Sequence, residues 1–524
     1  MTNRAAALLL QIGVVAVVVV ALPYKLFELD RYFVPKELAL HVVALLVAAT
    51  LVLRRRTINV DIADALLALF LVWSALSALF ATNYWLAQRA LGVSVSSAIV
   101  FWGARRAGGL GWHRGILVAC AVATVLAVAA SLAQAYGVDT EYFSTNRAPG
   151  GTFGNRNFVA HVAAIGLAAI VWCTVTARRP IGALLGSTSV GLVAAALVLS
   201  RSRGAWLAVA VSLIVLAGPV LVSRKYWAGG QVGGRFARVL LGAFIGATLA
   251  IILPNRLNWN SESPYLDSAR AVVDYSKGSG RGRVAQYVNS LRMAESNPVF
   301  GVGPGNWPVR YGKFAPRGDR SIADDGMTAN PWPSSDWVAY VSERGIVAAL
   351  ALLGVFAVLF LGAFRGWPEL ADGDAVLAKL ALAGTVVAAM VVSAFDVALL
   401  LAAPAFLLWS IIGATAGSRR LVRPFNFSRR SWTLIAGGIM LILVASTARS
   451  AAQTVAMTSV GRGGHTAGWV RGAAWDPGSY RINMKVAELY SRRARCGIAR
   501  GYLRQALSLF PDSPPARRLS RKCG

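Results

Sequence analysis

Ser200-Arg-Ser-Arg-Gly-Ala-Trp-Leu207 puts Arg201 and Arg203 at the junction of two long apolar runs. A charge at the mouth of a helical bundle is expensive, and it is normally paired or functional. Gly204 and Ala205 allow helices to approach closely just below it. A planar guanidinium fork suits phosphate oxygens, so an anion clamp is one reading. The plainer one is a pair of arginines snorkelling to lipid phosphate. A second constellation follows in the long polar interval from 255 to 336. It holds Arg283, then Asn297-Pro-Val-Phe-Gly-Val-Gly-Pro-Gly-Asn-Trp307, with Gly303 and Asn306 inside a glycine-rich turn. Such glycines let backbone approach a ligand, but no strand–loop–helix context supports a nucleotide fold. Val284, Tyr287, Val288, Leu291 and Met293 between them have helical spacing, which predicts an amphipathic helix at a membrane surface. Arg89, after Tyr84-Trp85, Arg156, inside a Gly-Asn-Arg-Asn turn, and His161, one turn into the apolar run after it, are further candidates near the ends of apolar runs. For His161 the structural reading, a buried and hydrogen-bonded imidazole, is the stronger.

These residues are positioned by a chain with far too little charge for a soluble domain. It has 524 residues, 56% hydrophobic and only 15% charged, with a mean hydropathy of +0.56, whereas about a quarter charged is usual. Apolar runs lie near 5–22, 38–53, 62–81, 89–104, 115–136, 157–176, 181–199, 204–222, 239–254, 339–363, 375–395, 398–416 and 432–448. The expected fold is an all-α polytopic membrane protein of about 12–13 transmembrane helices. The net charge of +30 follows from topology, not from nucleic acid. Arg54-Arg-Arg56, Arg105-Arg106 with Arg114, Arg178-Arg179, Arg224-Lys225 with Arg235 and Arg238, Arg365, and Arg419-Arg420 with Arg423, Arg429 and Arg430 occupy alternate gaps. All fall on one side if the N-terminus is cytoplasmic. The 255–336 loop, the turns at 137–156 and 200–203, and the tail after Ser450 then face outward.

Four parts divide the chain: 1–254 an N-terminal transmembrane bundle, 255–336 a loop carrying the site, 337–449 further transmembrane helices, and 450–524 a tail. In the tail Val486, Ala487, Tyr490, Ala499, Leu503, Ala506 and Pro511 have the spacing of a tetratricopeptide repeat. One and a half repeats bury little core alone, which predicts that the tail docks on something. It either caps the fold or binds a protein partner. Cys496 and Cys523 would meet if a short final helix runs back antiparallel, and an oxidising exterior permits a disulfide. Cys120 and Cys173 lie inside spans and read as packing residues. No CxxC or zinc spacing is present, so no metal site is expected.

In order along the chain, Gly151-Thr-Phe-Gly-Asn-Arg-Asn157, Ser202-Arg-Gly-Ala-Trp-Leu207, Arg283 with Asn297-Pro-Val-Phe-Gly-Val-Gly-Pro-Gly-Asn306, and Glu343-Arg-Gly345 resemble the O-antigen ligase and polymerase superfamily of the Wzy-C type. The resemblance covers about residues 145–415. It implies a GT-C-like inner-membrane glycosyltransferase, inverting, metal-independent and without cofactor. Such an enzyme passes a glycan from an undecaprenyl-diphosphate carrier to a periplasmic lipid or protein acceptor. By the resemblance Arg203 and Arg283 would hold the diphosphate; Arg201, Arg89, Arg156, Gly303 and Asn306 are further candidate substrate contacts from the reading of the residues themselves. Charge grows on that leaving group in the transition state, and fixed guanidiniums in a partly dry site stabilise it. One departure stands out: the family's histidine, about nine residues before the glutamate, is replaced by Ser334. Asp336 is the nearest candidate base, and Asp324 and Asp325 are alternatives. Three readings follow: Asp336 as base, leaving-group stabilisation alone, or lost transferase activity. A ligase, a chain polymerase and a protein O-oligosaccharyltransferase all fit. Outside the class stand a transporter of an anionic or lipid-linked solute and a silent scaffold.

Overall fold

The computed structural model describes residues 2–25, 30–52, 57–227, 231–259, 261, 263–270, 278–316, 318–368, 370, 373–417, 423–426, 428–463 and 465–523. Arg54, Arg55, Arg56, Arg419 and Arg420, which the orientation argument uses, lie outside these residues.

Backbone inside a bilayer must satisfy its hydrogen bonds within the segment, and the apolar runs accordingly become helices. They open with α1 (Thr2–Val19), α2 (Asp30–Val52), α3 (Ile62–Ser77), α4 (Tyr84–Ala107) and α5 (His113–Ala135). Next come α6 (Arg156–Val175), α7 (Pro180–Ser200), α8 (Arg203–Ser223) and α9 (Gln231–Ile252). The polar interval holds α10 (Pro264–Arg270), α11 (Gly278–Ser296) and α12 (Trp307–Arg310). After it run α13 (Asp336–Ala363), α14 (Gly373–Phe395), α15 (Ala402–Ala416) and α16 (Arg429–Gly463), and the tail is α17 (Thr466–Trp475), α18 (Tyr480–Arg492), α19 (Cys496–Leu509) and α20 (Pro514–Lys522). β1 (Thr57–Val60) pairs antiparallel with β2 (Arg423–Asn426) and ties two gaps together.

Ten of the described helical runs are long and apolar enough to span a membrane, and two shorter apolar helices, Arg4–Val19 and Ala402–Ala416, join them. One run, Tyr84–Ala135, breaks at Gly111 (φ 88°) into α4 and α5. Thirteen apolar helices therefore match the sequence reading, and the protein is an all-α multi-pass membrane protein. Three boundaries moved by eight residues or more, the first being the start of α9, at Gln231 rather than near 239. α2 starts at Asp30 rather than near 38, because its charged first turns are satisfied by protein: the Lys36 ammonium donates to the carbonyl of Thr152 at 2.7 Å, and Arg31 to that of Glu141 at 2.9 Å. α16 does not stop at 448. Its 35 residues extend about 50 Å, against about 30 Å of hydrocarbon, so it runs on out of the bundle and carries the tail.

α15 is buried along its whole length, with α6 and α14 packed round it. α7 and α9 approach through small residues, where a Cβ added at Gly191 would lie 2.9 Å from the carbonyl of Gly242. α8 and α9 bury few residues and expose Leu213, Ile214, Leu240, Leu241 and Phe244, as lipid-facing helices should.

The 137–155 segment, the 255–335 loop and the tail all lie at one face. Arg256 donates its N–H to Ala135 at 2.9 Å, and the tail seats on the loop. Val309, Tyr480, Met484, Leu503, Leu509 and Phe510 share one apolar core with Trp85, Leu86 and Met327. Each large side chain buried there contributes on the order of 1.5–3 kcal/mol. Lys313–Asp512 and Arg481–Asp325, both at 2.9 Å, flank the core. The docking expected of the tail is thus made onto the loop itself, and Cys496 is disulfide-bonded to Cys523.

Candidate functional site

Four segments converge on Asp396, just past the end of α14. Its Oδ2 accepts a hydrogen bond from Asn157 Nδ2 at 3.2 Å and lies 3.7 Å from Arg283 Nη2 and 3.7 Å from His161 Nε2. Asp396 and Arg283 keep 15% and 19% of their side chains exposed, so both can meet a ligand. His161 is buried, as expected, and its Nδ1 has no partner among the described residues.

Local chemistry explains each placement. The Asn155 side chain caps α6 by accepting from the Asn157 N–H, which sets Arg156 and Asn157 in the helix's first turn. Gly154 (φ 65°) lies against the Tyr32 ring where no Cβ would fit. Arg203 opens α8 and is partly exposed. A Cβ at Gly204 would come 3.3 Å from that of Phe395, so the start of α8 adjoins the Asp396 turn. Tyr287, one turn on from Arg283, has a hydroxyl whose single proton is shared between the carbonyls of Ser334 at 2.6 Å and Ala394 at 3.3 Å. That pair of bonds ties α11 to the end of the loop and to the end of α14 at once. The N-termini of α6 and α8 thus lie beside the arginines, and the positive ends of their helix dipoles favour anions.

A second cluster abuts the first through consecutive residues of α6. While Asn157 reaches Asp396, the Arg156 guanidinium lies 5.1 Å from the centre of the Trp259 ring, with that of Arg201 4.6 Å from the same ring. Arg201, a left-handed residue at the end of α7 (φ 52°), donates to Ser268 Oγ at 2.6 Å. Burial pushes its guanidinium below the ordinary value, and Asp267 opposes this. The like charges of Arg201 and Arg147 both act on Arg156.

Other expected site residues have different work. Asp336 is completely buried, and its carboxylate accepts from the backbone N–H groups of Ala398 (2.7 Å), Leu399 (2.9 Å) and Leu400 (3.2 Å). A fully buried carboxylate already accepting three backbone N–H groups has no access to an acceptor hydroxyl, and the base role read from sequence does not suit it. Instead Asp336 shapes the Asp396 turn, with its own N–H donating to the Asp396 carbonyl at 3.3 Å. Asp325 pairs with Arg481 of the tail, and Asp324 is exposed. Arg89 is held by Glu37 at 2.8 Å and Asp30 at 3.3 Å, a structural ion pair rather than an open clamp.

Gly303 and Asn306 also face their own chain. A Cβ at Gly303 (φ 96°) would lie 2.6 Å from the Ala81 Cα. Asn306 is fully buried, accepting from the Asn83 N–H at 2.7 Å and donating to the Asn83 carbonyl at 3.2 Å. The glycine turn closes onto α13, where the Glu343 carboxylate accepts from the N–H groups of Gly305 (2.8 Å) and Trp307 (3.0 Å). The motif that looked ligand-binding thus packs against α4 and α13 of its own chain. On α11, Val284, Val288 and Leu291 are exposed, whereas Met293 is buried and Tyr287 is half-buried against the loop and α14, so three of the five residues of the expected stripe face outward.

Sequence reading missed Asp396, although a signal was there. It is the sole acidic residue between Asp374 and Asp476, at the break between two apolar runs.

Residues 188–353 match the family model described as O-antigen ligase (Wzy_C). The matched stretch runs from within α7, through Arg201, Arg203 and the whole loop with Arg283, into α13. Members of that family are ligases or polymerases of glycans, working in general on a lipid-linked glycan donor and an acceptor. Among curated proteins, none matches the chain.

Proposed function

We propose, with the O-antigen ligase match as premise, that the protein transfers a glycan from a polyprenyl-diphosphate carrier, undecaprenyl diphosphate in bacteria, to an outer acceptor. The loop face would be periplasmic, the protein sitting in the inner membrane with a cytoplasmic N-terminus. The observation that carries this reading is the gathering of Arg156, Arg201, Arg203 and Arg283 about two helix N-termini beside one partly exposed carboxylate, Asp396.

In the proposed reaction the diphosphate lies among these arginines, and Arg283 turns from Asp396 to a phosphate oxygen. That frees a carboxylate oxygen of Asp396 to accept the proton of the attacking acceptor hydroxyl. The oxygen attacks the anomeric carbon from the face opposite the diphosphate, the carbon–oxygen bond to the carrier breaks, and both electrons leave on the diphosphate. Configuration inverts, and no metal is needed, because guanidiniums and helix N-termini carry the growing charge. Asp396 would supply the base that the missing family histidine leaves open, with Asp336 and Tyr287 as positioning residues.

The test uses purified protein in detergent with a polyprenyl-diphosphate glycan and an envelope acceptor extract, reading released polyprenyl diphosphate. Acceptor-dependent release supports transfer. Donor that stays bound without release, whatever acceptor is added, points to a transporter or scaffold instead.

A further inference from the structure

The tail carries thirteen Lys or Arg against three Asp or Glu between 450 and 524, and the fold gathers many of them at one tip. α18 starts at the loop, where the Tyr480 hydroxyl donates to the Asp325 carbonyl at 3.2 Å. α19 returns there, its Leu509 carbonyl accepting from Asn83 Nδ2 at 3.3 Å, and α20 leaves from Pro514 against Gly326. The opposite ends of all three helices therefore lie together, about 20 Å from the loop for a helix the length of α18. The Cys496–Cys523 disulfide fastens that end. Around it Arg492, Arg493, Arg495, Arg518, Arg521 and Lys522 are all exposed.

Local helix physics accounts for only part of this cluster. Arg492, Arg521 and Lys522 sit at helix C-termini, which favour cations. Arg495 caps the N-terminus of α19, which disfavours one. Among the described residues these six have no carboxylate within 4.0 Å, whereas Arg517 beside them is paired with Asp512. Ile498 is the single large apolar side chain exposed on α18–α20, so the tip lacks the apolar centre of a protein–protein interface. It lies about one helix length from Asn83 at the start of α4.

We infer that the disulfide-fastened tip is a docking surface for an anionic glycan chain, one bearing repeated carboxylates or phosphates, held on the loop face while its end is transferred. The identity of the chain rests on the glycan-transfer reading above; the binding itself needs no transfer. Exposed guanidiniums without acidic neighbours suit such a chain, since they attract it along its length and form forked hydrogen bonds to each oxyanion.

The full-length protein in detergent is titrated with fluorescent polygalacturonate and, in parallel, with neutral dextran of equal length, at low and high salt. The expected result is salt-sensitive binding of polygalacturonate alone, at least about tenfold weaker in an Arg492→Glu/Arg495→Glu/Arg518→Glu variant. The matching triple Lys variant retains binding, and melting temperature and carrier release with a small neutral acceptor stay unchanged in both. Equal binding of dextran, or undiminished affinity in the Glu variant, overturns the inference. So does capture of an acidic protein while polygalacturonate stays free. Binding as expected in a protein that releases no carrier would overturn the transfer reading and leave the polyanion surface standing.

Discussion

The loop face contains two kinds of arginine, and the contrast between them separates scaffold from site. On the α2–α4 side, Arg89 has its charge answered within the protein by Glu37 and Asp30. Around α6, α8 and α11 the balance reverses. Arg147, Arg156, Arg201 and Arg283 gather where Asp396 and Asp267 are the nearby carboxylates among the described residues. An aromatic ring, not an acid, holds Arg156 and Arg201. In a buried ion pair the attraction is taken up against the pair's own desolvation, while cations left in excess keep attraction available for an anion that arrives later. The lesson is that the identity of an arginine's partner matters more than its depth.

Substitutions can break this comparison in both directions. The largest effect is expected at Arg283. Arg283→Ala should lower carrier release by about 10²–10³-fold with no loss of thermal stability. An equal fall in melting temperature would put Arg283 with the scaffold. Arg89→Ala should do the reverse, leaving Glu37 buried without its partner at a cost of about 3–5 kcal/mol. A thermal melt should fall by many degrees while release per folded molecule persists. A smaller effect is expected for Arg201→Lys, which keeps the charge but loses the stacked planar fork. The KM for donor should rise several-fold, about 1 kcal/mol, with kcat nearly unchanged.

The smallest concerns pH and the docked tail. The hydrogen bond from Lys313 holds the Asp512 carboxyl below its ordinary value, with Arg517 and Arg310 adding to the pull and partial burial opposing it. A carboxylate depressed on folding contributes its stabilisation in full above its unfolded pKa and loses it as pH falls through the folded one. Both partners are well exposed, so the contribution is at most about 1 kcal/mol. Hydrogen exchange at the tail–loop contact should therefore stay flat at neutral pH and rise only in acid. Lys313→Ala should remove that acid-dependent part.

Spans and tail packing were legible because both are periodic. The hydropathy runs gave thirteen helices, and Val486, Ala487, Ala499, Leu503 and Ala506 are buried as their spacing requires. α2 was shortened in the reading because Arg31, Lys36 and Glu37 look wrong for a membrane until their partners, some far along the chain, are known. The same limit governed the site. Arg203 and Arg283 were visible as charges in unusual places. The roles of Asp336 and Asp396 depend on which carboxylate meets the N–H groups of Ala398, Leu399 and Leu400, and that is fixed by how α13 and α14 pack. Gly303 and Asn306 show the converse: glycines that suit a ligand suit an approach to α13 and α4 equally well.

The central claim is that Asp396 faces the chemistry and Asp336 holds it in place. Acceptor-dependent release of polyprenyl diphosphate, measured alongside donor binding for Asp396→Asn and Asp336→Asn, tests it most directly. The expected result is that Asp396→Asn binds donor but loses release, with its melting temperature unchanged. Asp336→Asn should melt earlier and keep release in proportion to the folded fraction. Full release by Asp396→Asn, with release abolished in a normally melting Asp336→Asn, would contradict it.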